Sequence, residues 1–211
     1  WKALGVNIQG RSHTLKVNYR TSHQIRRMAD RLLPAEIADV DGNAEGRKGT
    51  VSVFNGPEPE IQIADDTEAE IKAVSEWLKQ CQEDGIRPDE IGVFVRSDDE
   101  IQRAEAAVSL SGMKSHLLSE KMQGASDAVF LSPMHLAKGL EFRAVISMAC
   151  DDEVIPSQTR IETVTDDSDL EDVYNTERQL LYVALTRARD RLLVTAVDPA
   201  SEFLEDMDAA L

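Results

Sequence analysis

Seven residues, Ala144 to Cys150, make the most apolar run of the chain, broken only by Ser147. The run is far too short to cross a bilayer, which takes about 20 residues. Its length suits a strand buried on both faces, and such strands lie at the centre of parallel sheets. The neighbouring sequence must then supply further strands and helices to cover those faces. Leu15 to Val17, Thr50 to Phe54, Ile61 to Ala64, Ile91 to Val95, His116 to Leu118, Val129 to Leu131 and Arg191 to Val197 all read as strands. Between them lie helical patterns. Ser22 is a candidate N-cap for a helix carrying Ile25, Met28, Ala29, Leu32 and Leu33, stopped by Pro34. Thr67 to Asp84 reads as a helix opened by a Thr67/Glu70 capping box, with Ile71, Val74, Trp77 and Leu78 on one face. Asp98 to Ser111 is a helix closed by Gly112, and Glu177 to Ala188 is another. Strands alternating with helices predict an α/β fold, a parallel sheet with helices on both faces.

Two stretches break the alternation. Asp39 to Gly49, rich in Gly, Asp and Asn, reads as a loop. Glu162 to Asp172, dense in acid, reads as a flexible one. Two cysteines, Cys81 and Cys150, stand in unrelated contexts and read as reduced thiols of a cytosolic protein. With four scattered His and no Cys/His cluster, no metal site is expected. The start, Trp1-Lys2-Ala3-Leu4, has neither the character of a leader nor an initiator Met, so a cytoplasmic piece of a longer chain is expected, without a membrane partner.

The net charge of −16 argues against binding nucleic acid through bulk electrostatics. The charge is nonetheless uneven. Asp151 to Glu177 holds ten acidic residues against Arg160 alone, whereas Arg178, Arg187, Arg189 and Arg191 crowd the next stretch with only Asp190 opposing.

Three segments carry candidate chemistry. Val17 to Ser22 places Tyr19 and Arg20 at a strand exit, where open α/β sheets bind ligands. A tyrosine there can stack on a base and an arginine can bridge phosphate oxygens, although both are also ordinary surface residues. His135-Leu136-Ala137-Lys138-Gly139-Leu140-Glu141-Phe142 joins two strands tightly. Gly139 would admit a phosphate near the backbone and Glu141 could hold a ribose hydroxyl. Alternatively, Lys138 and Glu141 form an i,i+3 surface pair. Arg187 closes a helix, which suits either a dipole-compensating cation or an arginine finger for a γ-phosphate held on another domain.

Taken together, these segments resemble motifs IV, V and VI of the UvrD/Rep/PcrA family of superfamily 1 helicases, in wording and in order. The fourth motif matches Asn18 to Ser22, the fifth His135 to Phe142, and the sixth Leu181 to Ala188, and the resemblance extends from Trp1 to about Val197. It implies that residues 1–211 are a C-terminal RecA-like domain, of the P-loop NTPase type but without the P-loop. It further implies that Tyr19 stacks on adenine and that Arg20 and Arg187 meet the γ-phosphate, with Arg187 also stabilising the transition state. Glu141 would bond the ribose with Gly139 nearby, and His135 and Lys138 would face single-stranded DNA. ATP and Mg²⁺ would be held mainly by an N-terminal RecA-like domain preceding Trp1, because no G-x-x-x-x-G-K-[ST] occurs in this sequence. Asp151-Asp152-Glu153 stands in the wrong order to be the family's metal-holding pair. Polarity would be 3′ to 5′.

Two departures qualify the resemblance. Pro133 replaces the family's usual threonine, so that a DNA phosphate contact is lost or passes to Ser132. Only residues 98–128 lie where larger relatives insert a helical subdomain, which must be absent or vestigial. A competing expectation is a stand-alone remnant that kept the fold and serves as an interaction or regulatory module.

Overall fold

The computed structural model describes residues 17–18, 20–33, 36–38, 44–46, 51–118 and 127–208. In chain order these form β1 (Val17–Asn18), α1 (His23–Ala29), β2 (Glu36–Ala38), β3 (Ala44–Gly46), β4 (Val51–Ser52), β5 (Glu60–Ala64) and α2 (Thr67–Glu83). Then follow β6 (Ile91–Val95), α3 (Ile101–Ser111), β7 (Ser115–Leu117), β8 (Val129–Pro133), β9 (Phe142–Ser147), α4 (Gln158–Ile161), α5 (Asp167–Leu185), β10 (Ala188–Val197) and α6 (Glu202–Met207). Leu15, Pro34 and most of the expected loop at 39–49 lie outside the described residues. Within that loop, β3 pairs antiparallel with β2.

Six strands form one wholly parallel sheet in the order β5-β10-β9-β6-β8-β7. Ala144 to Ser147 of the apolar run lie in β9, inside the sheet as expected, whereas Met148 to Cys150 continue beyond the end of the strand. Side-chain alternation divides each inner strand between two cores. Phe94, Val145, Leu192, Val194 and Ala196 pack on one face with Ile25 and Leu32, with Leu181 and Leu185 from α5, and with Phe203 from α6. Val93, Ala144, Ile146 and Leu193 pack on the other with Val74, Trp77 and Leu78 from α2 and Ala104 and Val108 from α3. Each fully buried Leu or Ile side chain contributes about 1.5–3 kcal/mol. Burial also pushes the Cys81 and Cys150 thiols up to about 12, which keeps both in the unreactive thiol form.

Two helix starts differ from the sequence reading. The N-cap of α2 is Asp66, whose carboxylate accepts the Ala69 N–H at 2.8 Å, and not Thr67. Glu70 is therefore released from capping and turns fully inward. The acidic stretch at 162–172 is only partly loop, because α5 begins at Asp167 under an Asp166 cap. Asp167 and Asp169 sit in its first turn, where the helix dipole favours negative charge. The density of acid that reads as disorder is, at this end of a helix, a stabilising feature.

The released Glu70 organises the carboxyl end of the sheet. One of its oxygens accepts from the Ala149 N–H at 3.0 Å and from the Thr195 hydroxyl at 2.6 Å; the other pairs with Arg103 of α3. Arg103 in turn binds Asp151 just beyond β9, and Asp151 accepts the Val197 N–H of β10 at 2.6 Å. Ala149 has φ of +59°, a left-handed backbone that an alanine adopts only when its surroundings impose it. Glu70 is part of what imposes it here. Replacing Glu70 with Ala leaves Arg103 with Asp151 alone of its two closest carboxylates and strands the Ala149 N–H and the Thr195 hydroxyl. We expect a loss of about 3–5 kcal/mol in urea denaturation. A loss below about 1 kcal/mol would show the cluster to be dispensable.

Candidate functional site

β9 and β10 start side by side, with Phe142 in register with Ala188 and the Phe142 N–H donated to the Arg187 carbonyl at 3.0 Å. This pairing sets Glu141 and Arg187, the residues just before each strand, at one amino-terminal edge of the sheet. The third segment joins them through the backbone. Ser22 N–H donates to the Arg189 carbonyl at 3.1 Å, and the Thr21 hydroxyl to the Thr186 carbonyl at 3.3 Å. Ser22 also caps α1, accepting from Ile25 N–H at 3.4 Å, so the start of that helix is fixed against β10. Arg20, one residue beyond this junction, reaches Glu141 with Nε at 3.1 Å from Oε2, each side chain about half exposed. The three segments, 120 or more residues apart at their extremes, thus converge on Arg20, Glu141 and Arg187. Tyr19 lies outside the described residues.

Arg187 is half buried, and its guanidinium meets only neutral acceptors among the described residues. Nε donates to the Val183 carbonyl at 2.9 Å, one terminal nitrogen to the Leu140 carbonyl at 3.4 Å, and the other to the Thr186 hydroxyl at 3.3 Å. Burial lowers its pKa and the nearby positive charge of Arg20 lowers it further, with Glu141 opposing. A cation held this way has most of its hydrogen-bond geometry fixed while its charge stays uncompensated. An anion at this edge would supply the missing partner.

More arginine flanks the pair. Arg189 and Arg143 both bind Asp190, and Arg189 is near enough to Glu141 to feel its charge. The cluster of arginines in the sequence therefore divides. Arg187 and Arg189 belong to this edge. Arg178 stacks on the Phe203 ring at 4.3 Å and pairs with Asp206, and Arg191 lies over Trp77 at 5.0 Å and pairs with Asp84.

The residues expected to face DNA do not join this group. β8 ends at Pro133 at the carboxyl edge of the sheet and β9 starts at the amino edge, so residues 134–141 cross the sheet face. Met134 and Ala137 are buried in the core below, leaving His135 and Lys138 exposed. Lys138 does not form the expected alternative pair with Glu141, which Arg20 takes. Ser132 is fully buried and its hydroxyl donates to the Pro133 carbonyl at 3.0 Å. It cannot substitute for a phosphate-binding threonine at the surface, and that expectation is corrected. Gly139 has φ of +88° with open space where a Cβ would stand, so its backbone conformation by itself favours glycine. Phe142, which ends the crossing, lies against Gly92 of β6, where an added Cβ would come within 2.7 Å of its ring.

Among the described residues no group of three His, Cys, Asp or Glu could hold a metal ion. The edge suits anions and hydroxyls instead. Sequence reasoning did not single out Arg96, at the carboxyl end of β6, or its partner Glu177 on the motif-bearing α5. The Glu177 carboxylate is wholly buried between Arg96, at 2.5 Å, and Arg160, at 2.8 Å. The only available signal was a lone acid on the helix face otherwise lined by Leu181 and Leu185.

Residues 106–198 match the family model of the UvrD-like helicase C-terminal domain. Two curated relatives agree. The ATP-dependent DNA helicase PcrA of Bacillus subtilis (strain 168) is 36% identical over 76 residues, which is 36% of this chain and 9% of that protein. The ATP-dependent DNA helicase UvrD1 of Mycobacterium tuberculosis (strain ATCC 25618 / H37Rv) is 33% identical over 94 residues, 39% of this chain and 11% of that protein. The chain thus spans about a tenth of the length of the curated relatives it matches. A crystal structure of the C-terminal domain of a possible DNA helicase from Lactobacillus plantarum WCFS1 has the same fold. Its TM-score is 0.63 at 23% identity, covering 92% of this chain and 96% of that one.

Burial raises the Glu177 pKa, but hydrogen bonds and charge from Arg96 and Arg160 outweigh it, and the net shift is downward. A carboxylate lowered in the folded state stabilises fully above its unfolded pKa of about 4.3, and that stability fades as pH falls toward the folded value. We therefore expect denaturation midpoints of wild type to drop more steeply below about pH 4.3 than those of Glu177→Gln. Parallel pH profiles of the two proteins would contradict this.

Proposed function

We propose that this domain is the closing half of an ATP-dependent DNA helicase or translocase motor. ATP and Mg²⁺ would be held chiefly by a preceding RecA-like domain of the same polypeptide, and this domain's amino-terminal sheet edge would close over the triphosphate. The observation that carries the reading is the half-buried Arg187 guanidinium, oriented by three neutral acceptors and set beside the Arg20 charge. Two cations side by side are costly unless an anion separates them, and a γ-phosphate gathering charge in its transition state is such an anion.

The roles follow from the chemistry of each side chain. Arg187 would stabilise charge on the transferring phosphoryl group. Arg20 would exchange Glu141 for a phosphate oxygen, freeing Glu141 to accept from a ribose hydroxyl. Tyr19 would stack on adenine, and Gly139 would shape the turn that presents Glu141. The residues described here suit phosphate and hydroxyl groups, while a divalent ion would take its ligands from the partner domain. His135 and Lys138, exposed on the sheet-crossing segment, would meet single-stranded DNA. Translocation from 3′ to 5′ and a cytoplasmic setting are the polarity and location this reading expects.

The test is ATP turnover by the intact polypeptide, with and without single-stranded DNA, beside its Arg187→Ala variant. DNA-stimulated turnover that falls by roughly 10³-fold or more in the variant, with an unchanged melting temperature, is the expected result. Turnover that is absent or indifferent to Arg187 would mean that the motifs survive as scaffold in a domain whose work is binding other proteins.

A further inference from the structure

At the edge of the sheet formed by β5, the strand has, among the described residues, a hydrogen-bonding partner on one side only. Ala64 accepts the Asp198 N–H at 2.9 Å, so Ala64, and with it Gln62 and Glu60, directs its backbone groups toward β10. Both backbone groups of a strand residue point the same way and alternate along the chain. The N–H and C=O of Ile61 and Ile63 therefore point outward, and among the described residues no hydrogen bond reaches them.

Natural sheet edges are commonly protected by an inward charge, a proline or a bulge. β5 has none of these along Ile61 to Ile63, and the Ile63 side chain is 51% exposed. Ile61 and Ile63 share one side of the strand and open onto a groove of about 380 Å³ floored by Pro199, Ala200 and Leu204. The margins are acidic. Asp65, Asp198 and Glu205 are exposed, and among the described residues none of the three forms an ion pair.

We propose that β5 accepts an added strand from a partner polypeptide, an extended segment in which apolar and basic residues alternate. Its backbone would bond to Ile61 and Ile63. One set of side chains would fill the groove over Leu204, and the other set would meet Asp65 on the α2 side. Charge selects this occupant over a second copy of the chain, because a copy carries the same −16 and would bring its own acidic margin to the contact.

The probe is an eight-residue peptide alternating valine and lysine, compared with one alternating valine and glutamate and with a lysine peptide interrupted by proline. Backbone amide exchange of the 211-residue chain is read residue by residue with each peptide, at about 0.15 M salt to screen diffuse attraction. We expect saturable binding of the uninterrupted lysine peptide only, with exchange of the Ile61 and Ile63 amides slowed at least tenfold. Ile63→Pro removes an outward N–H without breaking a bond to β10 and should abolish binding at an unchanged melting temperature. If that variant unfolds, Ile63→Lys decides by the same loss of affinity. Protection elsewhere, equal binding of the glutamate peptide, no saturable binding, or binding that survives both substitutions overturns the proposal. So does a concentration-dependent dimer of the chain that Ile63→Pro dissolves.

Discussion

The register that aligns Phe142 with Ala188 is the constraint on which the site rests. A parallel ladder fixes the level at which two strands begin, and so fixes the residues that immediately precede them. Glu141 and Arg187 occupy those positions, brought to one edge by backbone pairing rather than by any attraction between their side chains. Ser22, bonded to the Arg189 carbonyl and capping α1 at once, adds the third segment to the same frame. Because side-chain faces alternate with period two, a slip of one residue between β9 and β10 would exchange the two cores and scatter the site together.

The opposite edge is held differently. There the strands are tied to the helices by charge, with Glu70 of α2, Arg103 of α3 and Asp151 after β9 forming a cluster that also satisfies backbone donors at Ala149 and Val197. Such a cluster adds little net stability over apolar packing, yet tolerates few alternative arrangements of the elements it joins. The two ends thus divide the work. Backbone pairing sets the arginines of the site in place, and buried ion pairs hold the helices that cover the sheet.

Much of this could be read from the residues alone. The apolar run at 144–150 gave a central parallel strand, Ser22 gave a helix cap, and Gly112 gave a helix end, because each follows from local chemistry. The convergence of Arg20, Glu141 and Arg187 was legible only through the resemblance of three short segments to a helicase family, since spacing along the chain says nothing of proximity across it. What could not be read were choices settled by tertiary packing. Thr67 and Glu70 have the pattern of a capping box, but Asp66 lies one residue earlier and Glu70 finds stronger partners inside. Ser132 is a hydroxyl at the right place in the sequence but sits in a strand whose side chains are buried, so its hydroxyl satisfies a neighbouring carbonyl.

The arginines at the amino-terminal edge also stand against the charge of the whole molecule. A polyanion approaching from most directions meets net repulsion, felt over roughly the 8 Å that physiological salt permits. Near Arg20, Arg187, Arg189 and Arg143 the sign reverses over a few residues. An anion that reaches this edge finds in Arg187 a guanidinium bonded only to neutral acceptors among the described residues, on a molecule whose net charge is −16.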